Sequence, residues 1–189
     1  NYTAEWRAEA ERRGLLNRRT TPEALADWAS EANIALYERY GVFTRNEAES
    51  RFHVQNEIYA NKIKVEATAA VDMAETIVLP AAYQYQSRMA ESIDRVRGLL
   101  GKEAGAGQLT ELTNLCQRIE QVQQAIEQVR ATKRAIAQRG LHEAELAKAY
   151  CTDLVPSMAR LREAVDSLEL WVDDDLWPLP KYREMLFIH

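Results

Sequence analysis

Glycine and proline are scarce in this chain, seven and five among 189 residues. That leaves little material for the tight turns of a many-stranded β fold. No apolar run approaches the length of about 18 residues that a membrane-spanning helix needs, so a membrane span is excluded. The N-terminus lacks the charged-then-apolar pattern of a secretory signal peptide. Cysteine is limited to Cys116 and Cys151, far apart on patterned segments. Two buried free thiols in a reducing cytoplasm fit that usage better than a disulfide. Positive charge is not concentrated anywhere, and the net charge is −5 with both signs interspersed. A surface of that kind does not track nucleic-acid phosphates, which require clustered Lys and Arg to release counterions. What remains is 47% apolar and 28% charged. Ala, Glu, Leu, Arg and Gln, all good helix formers, dominate it. The composition predicts an all-α domain with a sizeable core.

The pattern along the chain sorts into small helices, long helices and a tail. Residues 1–44 predict short helices packing on a larger body. Thr3 caps one that runs to about Arg13, with Gly14 as its left-handed stop. Thr21 caps a second with Pro22 at its first position, and a third runs from about Ser30 to Gly41. The third places Ile34, Leu36, Tyr37 and Tyr40 before its stop, and Trp6, Trp28, Tyr37 and Tyr40 are the expected apolar anchors. Thr44-Arg45-Asn46-Glu47 has the form of a capping box. It opens a long helix over about 45–97 with the stripe Phe52, Tyr59, Ile63, Ala67, Ala70, Ala74, Ile77, Ala81 and Tyr85. Pro80 removes one backbone hydrogen bond and is expected to bend this helix without ending it.

A glycine-rich turn at 98–107 leads to a heptad seam over about 108–139. Its apolar positions are Leu112, Leu115, Ile119, Val122, Ile126, Val129 and Ile136, with Lys133 as the polar break. A second seam over about 142–173 carries Ala147, Cys151, Leu154, Met158, Leu161, Val165, Leu168 and Val172, with Pro156 inside it. Each seam is about 32 residues, or about 48 Å at 1.5 Å per residue. With the matching stretch 66–97 they predict a coiled-coil-like antiparallel three-helix bundle, 45–173, in a single domain. The stretch 45–65 would project and be covered by the small helices. In the tail, 174–189, Trp177-Pro178-Leu179-Pro180 enforces an extended path. Tyr182, Met185, Leu186 and Phe187 then offer apolar groups for docking, on this bundle or on a neighbouring subunit.

No complete catalytic, cofactor or metal site emerges from the residues. His53, His142 and His189 lack metal-ligand spacing, and Glu49, His53 and Glu57 read as a surface hydrogen-bonded cluster rather than a metal site. A di-iron bundle needs Glu-x-x-His on two helices, and none occurs. Lys102 sits in GKEAGAG, which lacks the Gly-Lys-Ser/Thr ending of a phosphate loop and joins helix to helix. A flexible turn is the plain reading, although a loop at a bundle tip can also reach a ligand held by another domain. Asp173-Asp174-Asp175 marks a helix end meeting water. Glu66 and Asp72, on or beside the apolar stripe, are expected to be structurally paired carboxylates. The two thiols have no histidine partner for nucleophilic work.

Three stretches carry a resemblance: EWRAEAERRGLLNRRTTPEAL (5–25), YERYGVFTRNEAESRFHVQNEIYANKIKVEATAAVDMAETIVLPAA (37–82) and VPSMARLREAVDSLELWVDDDLWPLPKYREMLF (155–187). Together they resemble the C-terminal helical region of type III glutamine synthetases. RRGLLN, Phe43-Thr44, Glu66-Ala67, Val71-Asp72-Met73, Leu79-Pro80-Ala81 and Trp-Pro-Leu-Pro are its specific points. The stretch 98–150 matches only as long charged helices. The resemblance implies a parent enzyme that joins ammonia to glutamate with ATP and Mg or Mn, in stacked hexameric rings. The family's metal, ATP and substrate residues lie in a β-rich catalytic domain upstream, so no catalytic, cofactor-binding or metal residue is carried onto this chain, which alone is expected to be inactive. Its partners would be its own catalytic domain and neighbouring subunits of a homo-oligomer. The alternative is a free-standing helical protein-interaction module, recognising a partner helix through its seams and apolar tail.

Overall fold

A computed structural model describes residues 3–186. Every regular element among them is helical. The chain divides into two compact units, one comprising the residues up to Lys64 with Arg139–Thr152, the other Val65–Gln138 with the residues from Asp153 on.

In the first unit, helix α1 (Ala4–Arg12) starts at Thr3, whose hydroxyl accepts from the Trp6 amide at 3.3 Å. It ends before Gly14, which takes φ +71°. Helix α2 (Thr21–Trp28) is capped one residue earlier than the sequence suggested, by Thr20, with Pro22 inside the first turn. The reason is Glu23. Its amide donates to the Thr20 hydroxyl at 3.4 Å while its carboxylate accepts from the Arg19 amide at 3.1 Å. Only Thr20 stands three residues before such a glutamate, so the box selects it. Helix α3 (Glu31–Arg39) begins at Ser30 and runs out before Gly41, at φ +64°.

The anchors of these small helices are narrower than expected. Trp28, Tyr37 and Phe43 form a ring cluster with centroids 5.2–5.8 Å apart, and the Arg51 guanidinium lies 4.5 Å from the Phe43 ring centre. Ile34 is buried, whereas Trp6, Leu36 and Tyr40 stand exposed. Helix α2 packs on α3 and on α7 (Glu143–Ala149).

Helix α4 (Arg45–Met73) opens on the capping box. The Thr44 amide donates to Glu47 Oε2 at 2.8 Å and the Glu47 amide to Thr44 Oγ1 at 3.3 Å. Replacing Thr44 by alanine removes one acceptor from the helix N-terminus. The expected cost is about 1 kcal/mol, read as a shift of the urea midpoint at unchanged slope. An unshifted midpoint would assign the helix start to packing alone. Farther along, Ala48, Asn56, Ala60 and Ile63 are buried, and the Asn56 amide donates to the Phe52 carbonyl at 2.9 Å. Val54 and Ile58 remain exposed.

In the second unit, the helical path continues through a π-helical turn, Ala74–Val78, into α5 (Leu79–Leu100). After a turn centred on Gly101 and Gly105 it returns as α6 (Ala106–Gln138). Side-chain pairs fix the direction: Gln86 with Cys116, Tyr83 with Gln123, Glu75 with Arg130 and Thr68 with Lys133. Falling numbers on one side meet rising numbers on the other, so the two strands of helix are antiparallel. Helix α6 also packs closely on α8 (Val155–Glu169), which follows a second π-helical turn at Tyr150–Leu154.

The α6 seam is buried as its spacing predicts, from Leu115 through Ile136, with Leu112 half-buried. Lys133 resolves its polar break by donating to Thr68 Oγ1 at 2.7 Å. Burial of each such aliphatic side chain contributes about 1.5–3 kcal/mol. Leu154, Leu161, Leu168 and Val172 are buried from the second seam. The helix there stops at Glu169, short of the expected 173.

Both prolines sit at the second position after a π-helical turn, Pro80 after Ala74–Val78 and Pro156 after Tyr150–Leu154. A proline lacks the amide that an α-helical turn would pair and crowds the carbonyl four residues back. The wider π turn relieves that crowding, and the helix continues. One consequence is a shift in the buried face: Val78, Leu79 and Ala82 are buried, while Ile77 and Tyr85, expected on the stripe, are half-buried.

Candidate functional site

The residues weighed for chemistry are dispersed. His53 lies 3.8 Å from the Glu143 carboxylate, and Glu49 pairs with Arg45, so Glu49, His53 and Glu57 do not form the anticipated cluster. Among the described residues no three of His, Cys, Asp and Glu converge to hold a metal ion. His189 and Phe187 lie outside the described residues. Both cysteines are free thiols, and each is partly rather than fully buried. No helix among the described residues is long and apolar enough to cross a membrane.

Glu66 and Asp72 are exposed on α4 rather than set into its buried stripe, and Glu66 is partnered there. The half-buried carboxylate of this region is Glu75, one turn farther on, which pairs with Arg130 at 2.6 Å. The stripe here is rich in alanine, and small side chains narrow the covered face, so a carboxylate beside it reaches water. Helix α8 ends at Glu169, short of Asp173, Asp174 and Asp175, of which Asp174 and Asp175 are exposed and Asp173 is half-buried. They also hold the tail, since Asp174 pairs with Lys181 and Asp173 lies 3.9 Å from Arg88.

Arg45 is paired across two helices. Its guanidinium forms a two-pronged pair with Glu31 at 2.7 and 2.9 Å. The hydrogen bonds and charge of Arg45 draw the Glu31 carboxyl below its ordinary range, and Glu31 in turn raises Arg45. This ties α3 to the start of α4. Glu31 is exposed and Arg45 only half-buried, so the pair's contribution to stability is small.

The feature built with most material is the docked tail. Trp177 is buried, and its amide donates to the Asp173 carbonyl at 3.0 Å. From there Leu179 and Pro180 lead into the short helix α9 (Tyr182–Leu186). Between this tail, the first π turn and α8 lies a cavity of about 460 Å³ with an apolar lining and a charged rim of Arg162, Asp166 and Glu169. Nearby, the Arg118 guanidinium sits 4.7 Å over the Trp171 ring and donates to the Ser167 hydroxyl. Sequence reading singled out neither the cavity nor Arg118. Methionines at 73, 158 and 185, with apolar surroundings, were the available signal for the first.

Apolar groups also stand free at the surface. Leu15 and Leu16, from the RRGLLN stretch, share an open groove with Trp6. At the α5–α6 turn Leu99 is 86% exposed and Leu100 77%. Isolated surface leucines are ordinary, but adjacent pairs of them supply contact area for another protein surface.

The model for the glutamine synthetase C-terminal domain matches residues 1–97. A type-3 glutamine synthetase of Dictyostelium discoideum is 34% identical over 99% of the chain. A glutamine synthetase of Bacteroides fragilis (strain YCH46) is 32% identical over 98%, and one of Butyrivibrio fibrisolvens 30% over 98%. In each case the chain spans 26% of the relative's length, about a quarter.

Proposed function

We infer the role of this chain from one premise: it belongs to the family of glutamine synthetase C-terminal domains. It is the structural and assembly domain of a type III glutamine synthetase. The parent chain makes glutamine from glutamate and ammonia at the expense of ATP, with Mg or Mn as the metal. The domain packs on its own catalytic domain and on neighbouring subunits of a cytoplasmic homo-oligomer, built as stacked hexameric rings.

The observation that carries this reading is the alignment itself. Nearly all of the chain matches about a quarter of each relative, through 98–150 as well as through the more distinctive ends. The exposed leucine pairs at 15–16 and 99–100 support it, because a domain that packs on other parts of an enzyme needs uncovered apolar surface.

Deleting this stretch from the full-length parent tests the role. Particle mass by light scattering and the rate of glutamine formation are measured with and without it. The expected result is a smaller assembly together with at least about a tenfold loss of rate, since obligate interfaces and active sites in such oligomers depend on each other. An assembly of the same subunit number with an unchanged rate would remove the structural role.

A further inference from the structure

We propose that the cavity beneath the C-terminal tail is a binding site for a small amphipathic cation, an apolar body carrying one protonated amine. The inference stands apart from the assembly role and does not depend on it.

The cavity lies wholly within the unit formed by residues 65–138 and 153–186 of the described chain. Its volume of about 460 Å³ is within the range of small-molecule pockets. One wall is the π-helical turn, through Ala74 and Val78. Such turns are retained at a cost in helix geometry and are frequent where a helix lines a functional site. Met73, Met158 and Met185 contribute from three separate elements, and unbranched thioethers adapt to the outline of a bound apolar group. Trp177 closes one end and is itself buried.

The rim decides the charge of the ligand. Arg162 and Asp166 neutralise each other through two hydrogen bonds of 2.7 and 2.9 Å. Glu169 is half-buried at the same rim and has no hydrogen bond or ion pair among the described residues. The described rim therefore holds one carboxylate in excess beside an apolar space. An ammonium group there forms a charge-assisted hydrogen bond, the stronger kind, while its apolar body fills the cavity. A carboxylate ligand would meet repulsion at the same point. A neutral one would gain only the apolar part.

The test uses the 189-residue chain and three probes of equal chain length: octylamine, octan-1-ol and octanoate. Calorimetric titration at neutral pH gives affinity and stoichiometry, and methyl resonances of Met73, Met158 and Met185 report location. Octylamine is expected to saturate at one per chain and to move those methyl signals. Octanol should bind about tenfold more weakly, and octanoate more weakly again. The variant Glu169→Gln should bring octylamine down to the octanol level without changing octanol. Met158→Trp, which fills the space, should abolish both; if it fails to fold, the Glu169 variant decides. Equal binding of all three probes, an octylamine affinity indifferent to Glu169→Gln, or unmoved methionine signals would each overturn the proposal. So would the absence of saturable binding, which would leave the space to polypeptide of the assembled enzyme.

Discussion

Replacing Ile126 by aspartate is expected to unfold the unit built on α5, α6 and α8. Ile126 is 2% exposed near the middle of the α6 seam, with Val122 and Val129 buried one turn to either side. Aspartate there loses the apolar transfer energy of the side chain and buries a carboxylate with no partner. The second effect alone costs several kcal/mol, because the group must be desolvated or protonated. Against a total stability of about 5–15 kcal/mol, little remains. Helical circular dichroism during heating should show the cooperative transition lost or moved below ambient temperature. Ile126→Val, costing about 0.5–1.5 kcal/mol, separates the effect of charge from that of volume. A variant Ile126→Asp that melts as the parent does would mean that the seam is not the core of this unit.

The second large effect is expected from Trp177→Ala. Truncating a buried aromatic side chain costs about 3–5 kcal/mol when the site does not collapse. Here the loss falls on one segment, because the tail from Asp173 onward is held to the helices by Trp177 and by the contact of Asp173 with Arg88. The tail should therefore detach before the helices do. Trypsin reads this directly, since Lys181 is shielded while the tail is docked. Cleavage after Lys181 is expected to accelerate at least about tenfold, with α6 still protected, as local opening becomes cheaper than global unfolding. Simultaneous cleavage throughout the chain would show instead that the tail and the helices unfold as one.

The helical frame was legible in the sequence because its signals are local. Steps of three and four place the α6 seam without reference to anything outside that helix. The same holds for the Thr44–Glu47 box, whose partners are three residues apart. At the second helix two threonines stand in tandem, and the choice of Thr20 over Thr21 falls to Glu23. Pro80 and Pro156 located two irregularities but not their form. A π turn keeps the same residues in the same order and changes only which carbonyl each amide meets. The aromatic anchors were overstated at Trp6 and Tyr40, since an aromatic residue at a helix face is equally consistent with an outer surface.

The cavity was out of reach for a different reason. Met73, Met158, Trp177 and Met185 meet only after the tail has folded back, and no spacing rule connects them. Likewise, the isolation of Glu169 is a property of what surrounds it. Its neighbour Asp166 shows the contrast: the four-residue step to Arg162 is readable as a helix-face pair, and the structure forms it. Family likeness reached further than pattern at the two ends of the chain and little in its middle. There, heptads constrain only whether a position is apolar.

The π-helical turns turn chain length into angular information. Each closes its hydrogen bonds one residue farther along than an α turn does. Everything downstream is thereby rotated by about 100° relative to an uninterrupted helix, the angle of one residue at 3.6 per turn. Past Val78, the side chains that face the core are those that this rotation delivers there, Ala81, Ala82 and Ile93 among them. Losing a single residue between 74 and 78 would let the turn close as an ordinary α turn with the apolar face of α5 still toward α6, whereas one further residue there would act as a phase error on the whole of α5. In these helices the count of residues ahead of each proline is as much a part of the code as their identity.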